Sequence, residues 1–170
     1  KCEETARIAN FARAGGLEQG PFEGIPFNDS DVYKVIEGAA YSLALHPDPE
    51  LEKYLDGVIA KIAAAQEPDG YLYTARRLLP SEKMPGMSGR ARWTNLGSSH
   101  ELYNVGHLYE AAVAHFRATG KRTLLDVALK NADLICKVFG PADTQLHEPP
   151  GHEEIEIGLV SLHRATGEKK

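Results

Sequence analysis

The stretch S-S-H-E-L-Y-N-V-G-H-L-Y-E-A-A-V-A-H-F-R-A-T-G, from Ser98 to Gly120, decides how the rest of the chain is read. It opens like the H-E-x-x-H helix of zinc proteases, with His100 and Glu101 in place. Asn104 stands where the second ligand belongs, and the next histidine is His107. Seven residues span about 10 Å of helix axis, too far for His100 and His107 to share one ion. Nothing in the stretch is spaced to hold a metal. It reads instead as a helix from Glu101 to Ala118, apolar on nearly every side and therefore expecting neighbours all round.

Two further segments share that character, Asp31–Leu45 and Glu153–Ala165. Between them lie helices of another kind. Asp48-Pro49 is a helix start, with Asp48 as N-cap and Pro49 in the first turn. Leu51, Tyr54, Leu55, Val58, Ile59, Ile62 and Ala63 then follow i, i+3, i+4 spacing, opposite Glu52, Lys53, Asp56 and Lys61. Lys121–Phe139 behaves likewise, with Leu124, Leu125, Ala128, Ala132, Ile135 and Phe139 along one face, and Gly140-Pro141 ends it. Cys136 falls among these apolar positions and is expected to be a small buried hydrophobe.

The order is thus buried, amphipathic, buried, amphipathic, buried. Buried helices leave through short turns, H-P-D-P, A-T-G-K and A-T-G-E, with Gly120 and Gly167 as helix stops. Amphipathic helices leave through long connections, roughly 67–98 and 140–151. In successive antiparallel hairpins every long connection falls at one end, together with the N-termini of the buried helices. The expected fold is all-α: about the first three hairpins of an (α/α)6 toroid, with an inner ring, an outer ring and a mouth lined by long loops. A flat helical solenoid gives the same alternation. Six hairpins close a toroid, and the third breaks off at Glu168-Lys169-Lys170. The expectation is therefore that residues 1–170 are the N-terminal portion of one larger catalytic domain, with no second domain in the chain, or that the ring closes by self-association.

Polar residues gather where the buried helices begin: F-N-D-S-D before Val32, the run from His100 to His107, and P-G-H-E-E-I-E around His152. Asp29, Ser30, Glu153 and Glu154 suit helix capping and the helix dipole. His100 and His152 do not. Histidine is a poor N-cap, and its protonated form is disfavoured at the positive end of a helix. A neutral imidazole there offers one donor and one acceptor to a polar ligand. His107, two turns deeper, reads as a satisfied core histidine, and His46, His115 and His163 as structural.

Several sequences resemble glycoside hydrolase family 127, the β-L-arabinofuranosidase family, in the family's own order. They are F-N-D-S-D-V-Y-K, A-A-A-Q-E-P-D-G-Y-L-Y-T, R-W-T-N-L, the S-H-E-L-Y-N-V-G-H run through L-L-D-V-A, and P-G-H-E-E-I-E-I-G-L-V-S-L-H-R-A-T-G-E. The resemblance implies an α/α toroid and exo-hydrolysis of terminal β-linked L-arabinofuranose with retention. It matches His100 and His152 to sugar-contacting histidines. Aromatics of the mouth loops, Tyr71, Tyr73 and Trp93, are expected to shape the same pocket. It also implies a zinc-held cysteine thiolate as nucleophile and a glutamate acid/base, both expected beyond Lys170. Cys2, Cys136, Glu101 and Glu156 match none of these, so no catalytic or metal-binding residue is assigned to this chain. The alternatives are a related toroid enzyme acting on another sugar, or a non-catalytic module that binds carbohydrate or protein.

Composition narrows the partners. A net charge of −5 with acids and bases interspersed offers no basic stripe for nucleic acid. No apolar run approaches the roughly 20 residues that span a bilayer, so no membrane partner is expected. An arabinose-containing oligosaccharide or glycan is the expected partner. The compartment stays open between cytoplasm and periplasm.

Overall fold

The computed structural model describes residues 1–167. It contains α1 (Arg7–Ala14), α2 (Asp29–Leu45), α3 (Pro49–Ala65), α4 (Thr74–Leu78), α5 (Glu101–Thr119), α6 (Thr123–Val138) and α7 (Glu154–Thr166). Two 3-10 turns lie at Ser81–Lys83 and Gly86–Ser88. The five long helices stand where the apolar periodicities put them, with ends displaced by a residue or two. Asp48 caps α3 as expected, its carboxylate accepting from the Glu50 and Leu51 amides at 3.0 and 3.1 Å. Gly120 and Gly167 close α5 and α7 at φ 73° and 71°, a left-handed conformation that costs glycine nothing.

The helices form two layers. The inner one places α5 between α2 and α7; the outer one places α3 between α1 and α6. At the short-turn end, Lys121 stitches the layers together by pairing with Glu52 and Asp56 of α3 at 2.6 and 2.7 Å. The outer α1 was absent from the periodicity reading, because an eight-residue helix carries too few apolar positions to declare its period. It buries Ile8, Phe11, Ala12 and Ala14, and it makes the order outer–inner from the first hairpin.

Helix α5 is the centre of the core, with Leu102, Val105, Leu108, Tyr109 and Val113 all buried. Completely buried side chains such as Leu108 each contribute about 2–3 kcal/mol. Its approach to α7 depends on two glycines. A Cβ at Gly106 would lie 2.3 Å from the Glu154 carbonyl, and one at Gly158 would lie 2.7 Å from the Gly106 carbonyl oxygen. The backbones touch where any larger residue would separate them.

Two expectations are corrected. Among the described residues α5 alone of the inner helices is covered on both flanks; α2 exposes Val35, Tyr41 and Leu45, and α7 exposes Ile157 and Val160. Each of these helices has one inner-layer neighbour among the described residues, and its opposite flank faces outward. Cys136 is exposed rather than buried. Ile135 takes the inward position on α6, and the next residue, about 100° further round, faces an open groove bounded by Leu159 and Leu162 of α7.

Candidate functional site

At the long-loop end the N-termini of α2, α5 and α7 come together, and so do the aromatic side chains that precede or begin them. His100 occupies the N-cap position of α5, yet its side chain makes no capping hydrogen bond. The imidazole instead stacks on Phe27, with centroids 4.0 Å apart and planes 16° from parallel. His152 lies at 4.7 Å on α7's approach, just before the Glu153 N-cap, so it stands outside the helix rather than in its first turn. Tyr103, one turn into α5, is edge-on to His100 at 5.4 Å and to His107 at 4.7 Å, and tilted against His152 at 5.3 Å. Lys34 of α2 reaches over the Tyr103 ring and hydrogen-bonds its hydroxyl at 2.5 Å. His100 and His152, selected from sequence, are therefore neighbours.

The backbone holds this cluster by specific contacts. Asn104, the residue that breaks the protease motif, accepts a hydrogen bond from the Ser30 amide at 3.2 Å. That amide, in the first turn of α2, is shared with the Phe27 carbonyl at 3.3 Å, and the Asn104 contact fixes α2 against α5. Asp29 does not cap its own helix. Buried completely, it accepts from the Thr74 amide at 2.8 Å and from the Thr74 hydroxyl, tying α2 to α4. Burial pushes its pKa from 3.8 up to about 7, against the lowering effect of those hydrogen bonds. On the other side, the Gly151 amide donates to the Leu96 carbonyl at 3.0 Å, so the segments leading to His100 and His152 are joined directly.

Electrostatics favour the neutral form of His100. Burial lowers the pKa of His100, and the adjacent His152 lowers it further, while Glu154 opposes the shift. His107 is lowered by burial and by the Lys34 ammonium, with Glu154 and Glu37 opposing. Its Nδ1 lies 3.6 Å from Glu110. A neutral imidazole presents one donor and one acceptor, which suits sugar hydroxyls.

The three loop aromatics lie elsewhere in the mouth. Tyr71 is buried beneath the Arg92 guanidinium, which sits 3.8 Å from its ring centroid, and its hydroxyl donates to Glu101. Tyr73 is also buried, packed with Tyr71, Ala75 and Met84. Trp93 is part-exposed, edge-on to Tyr71 at 5.3 Å and to Phe139 at 5.4 Å, at a positive φ of 66°. What joins them to the histidines is Glu101. This carboxylate, 1 % exposed, accepts from the Tyr71 hydroxyl, the Trp93 amide (3.1 Å) and the Ser99 hydroxyl (3.3 Å), and lies 3.3 Å from Arg76 Nε. Sequence reading gave Glu101 no role, and it passed over Phe27 and Lys34. Phe27 stood in view beside F-N-D-S-D, but no local pattern says that its ring meets His100.

The residues present do not fit a zinc centre. Among the described residues no three His, Cys, Asp or Glu side chains are grouped to hold a metal ion. Cys2 lies by Tyr54 near α1, and Cys136 faces the groove between α6 and α7.

Comparison with known proteins places this geometry. The model of the β-L-arabinofuranosidase GH127 catalytic domain matches residues 1–170. The non-reducing end β-L-arabinofuranosidase of Bifidobacterium longum subsp. longum is 44 % identical over 163 residues, 96 % of this chain and 24 % of that protein. The crystal structure of Ara127N-Se, a GH127 β-L-arabinofuranosidase from Geobacillus stearothermophilus T6, superposes with a TM-score of 0.86 at 49 % identity, over 96 % of this chain and 24 % of that one. The GH127 β-arabinofuranosidase BT3674 gives 0.91 at 49 % identity, over 99 % and 27 %. The chain thus spans about a quarter of the length of the relatives it matches. By sequence over residues 1–170 and by fold, this chain belongs to the β-L-arabinofuranosidase family GH127.

Proposed function

We propose that the chain supplies part of the sugar pocket of a retaining exo-acting glycoside hydrolase that releases terminal β-L-arabinofuranose from glycans. The observation that carries this reading is the His100–His152 pair, two imidazoles 4.7 Å apart at the convergence of three inner helices. Phe27 and Tyr103 fix the planes of the rings, so their nitrogens keep a set direction toward a ligand. Hydrogen bonds from such pre-oriented groups position a sugar with little further loss of entropy. Trp93 closes one side of the mouth, while Tyr71 and Tyr73 act from behind it by holding the loop that carries Arg76 and Trp93.

Zinc and its thiolate, implied by the resemblance, would come from residues other than those described, as would the acid/base glutamate. The metal's contribution there would be a deprotonated sulfur at neutral pH. Residues 1–170 accordingly form the N-terminal part of the catalytic domain in this reading, and the open flanks of α2 and α7 are covered in the complete ring.

The test is hydrolysis of an aryl β-L-arabinofuranoside by the full-length enzyme, alongside aryl glycosides of other pentoses and of uronic acids. Release from the β-L-arabinofuranoside alone supports the reading, and preference for another sugar overturns it. The 170-residue chain by itself is expected neither to turn over the substrate nor to bind zinc tightly.

A further inference from the structure

The sequence assigns Glu154 to the helix dipole, and its position in the first turn of α7 agrees with that role. Its surroundings ask for more. The backbone carbonyl of Glu154 packs on Gly106, so the residue is pinned at the closest approach of α5 and α7. Its side chain lies within electrostatic reach of three groups: it opposes the lowering of the His100 and His107 pKa values and adds to the rise that burial gives Glu110. Yet its Oε2 is buried and receives no hydrogen bond among the described residues. A buried carboxylate oxygen without a donor costs about 1–3 kcal/mol or more, and native proteins keep few of them without a water, ion or ligand to satisfy them. The other carboxylate at the cluster, Glu110, lies beside His107 Nδ1. Glu154 thus offers an unpartnered acceptor oxygen within electrostatic reach of His100 and His107.

We propose that Glu154 is a third sugar-contacting residue of this site, its Oε2 accepting a hydrogen bond from a hydroxyl of the furanose held by His100 and His152. The inference rests on the sugar-site reading and deepens it. Neutral imidazoles each give or take one hydrogen bond, whereas a carboxylate only accepts. Glu154 therefore fixes which edge of the sugar carries a free hydroxyl. It also tethers specificity to the glycine contact between α5 and α7, because Gly106 sets where the first turn of α7 lies. A hydrogen bond to a charged group contributes about 1.5–3 kcal/mol, or roughly ten- to a hundred-fold in affinity.

The experiment uses the full-length enzyme and free L-arabinose as competitive inhibitor, with KM and kcat measured on an aryl β-L-arabinofuranoside. Glu154→Ala is expected to weaken L-arabinose binding at least ten-fold and raise KM, with folding verified by circular dichroism. Glu154→Gln keeps an acceptor oxygen and the shape, and is expected to recover part of the loss. A deoxy-arabinose lacking the contacted hydroxyl should bind wild type and Glu154→Ala with equal strength. In Glu154→Gln the acid limb of the kcat/KM profile should move to lower pH, because the anion that raises His100 is gone. If Glu154→Ala folds and binds L-arabinose as wild type does, Glu154 serves only the helix and the inference is overturned. If wild type itself binds no L-arabinose, the sugar-site reading falls, a result distinguishable from the first.

Discussion

Asn104 and Ser30 meet across the inner layer, the side-chain oxygen of one accepting from the backbone amide of the other at 3.2 Å. The position at which a metalloprotease would carry its second histidine is here a helix-to-helix fastener. That relationship ties the start of α2 to the start of α5 and brings Phe27 under His100.

His100→Ala in the full-length enzyme should lower kcat/KM at least a hundred-fold with an unchanged far-ultraviolet spectrum, since an imidazole pre-oriented by Phe27 would be lost. Full activity in the variant would remove His100 from the site.

The pH dependence follows from the same pair. Burial and His152 both lower the His100 pKa, so the ring stays neutral further into the acid range than an ordinary histidine. Sugar binding should hold steady from pH 7 to below 6.5 and fail only under more acid conditions. In His152→Gln the nearby imidazole charge is absent, and the His100 titration followed by NMR should move upward.

Gly106→Ala and Gly158→Ala should each destabilise the protein, by about 1–3 kcal/mol or more, because the added methyl meets backbone at 2.3 and 2.7 Å. Thermal melting reads the loss. The same movement pulls His152 away from His100, so surviving folded enzyme should show a raised KM.

Glu101→Gln keeps its shape but removes the charge opposite Arg76, whose side chain is 11 % exposed. Breaking a buried pair costs about 3–5 kcal/mol. A melting temperature within a degree of wild type would refute the assignment of Glu101 as anchor of the mouth loop.

Asp29 makes stability fall as pH rises. Its folded pKa, about 7, lies above the ordinary 3.8, so the folded state holds the proton more tightly than the unfolded chain between those values. Unfolding free energy should therefore decline from about pH 4 to pH 7 by as much as a few kcal/mol from this group. Asp29→Asn should flatten that decline and be the more stable protein at pH 8, as measured by urea denaturation at several pH values.

Most of the helices were legible because their signals are local. The i, i+3, i+4 pattern of α3 and α6, Asp48 with Pro49, and the glycines after α5 and α7 each depend on a few adjacent residues. Helix α1 escaped because eight residues give too short a period. Cys136 was misjudged because an apolar stripe read from sequence is wider than the face that packs. Among site residues, His100 and His152 could be picked out by a local oddity, histidines where helix dipoles disfavour them. Glu101 carried no such oddity: an acid in the first turn of a helix is ordinary, and its four partners come from three separate parts of the loop.

The sequence by itself determined an all-helical chain of alternating amphipathic and apolar helices, long loops at one end, and a pair of histidines at that end. Hydrophobic periodicity and capping are properties of short segments and need no knowledge of the partner. Which histidine touches which ring and which glutamate holds the loop were decided only by tertiary structure. Those contacts join residues far apart in the chain, and their geometry depends on how closely α5 and α7 approach at Gly106 and Gly158. That distance is set by packing in three dimensions.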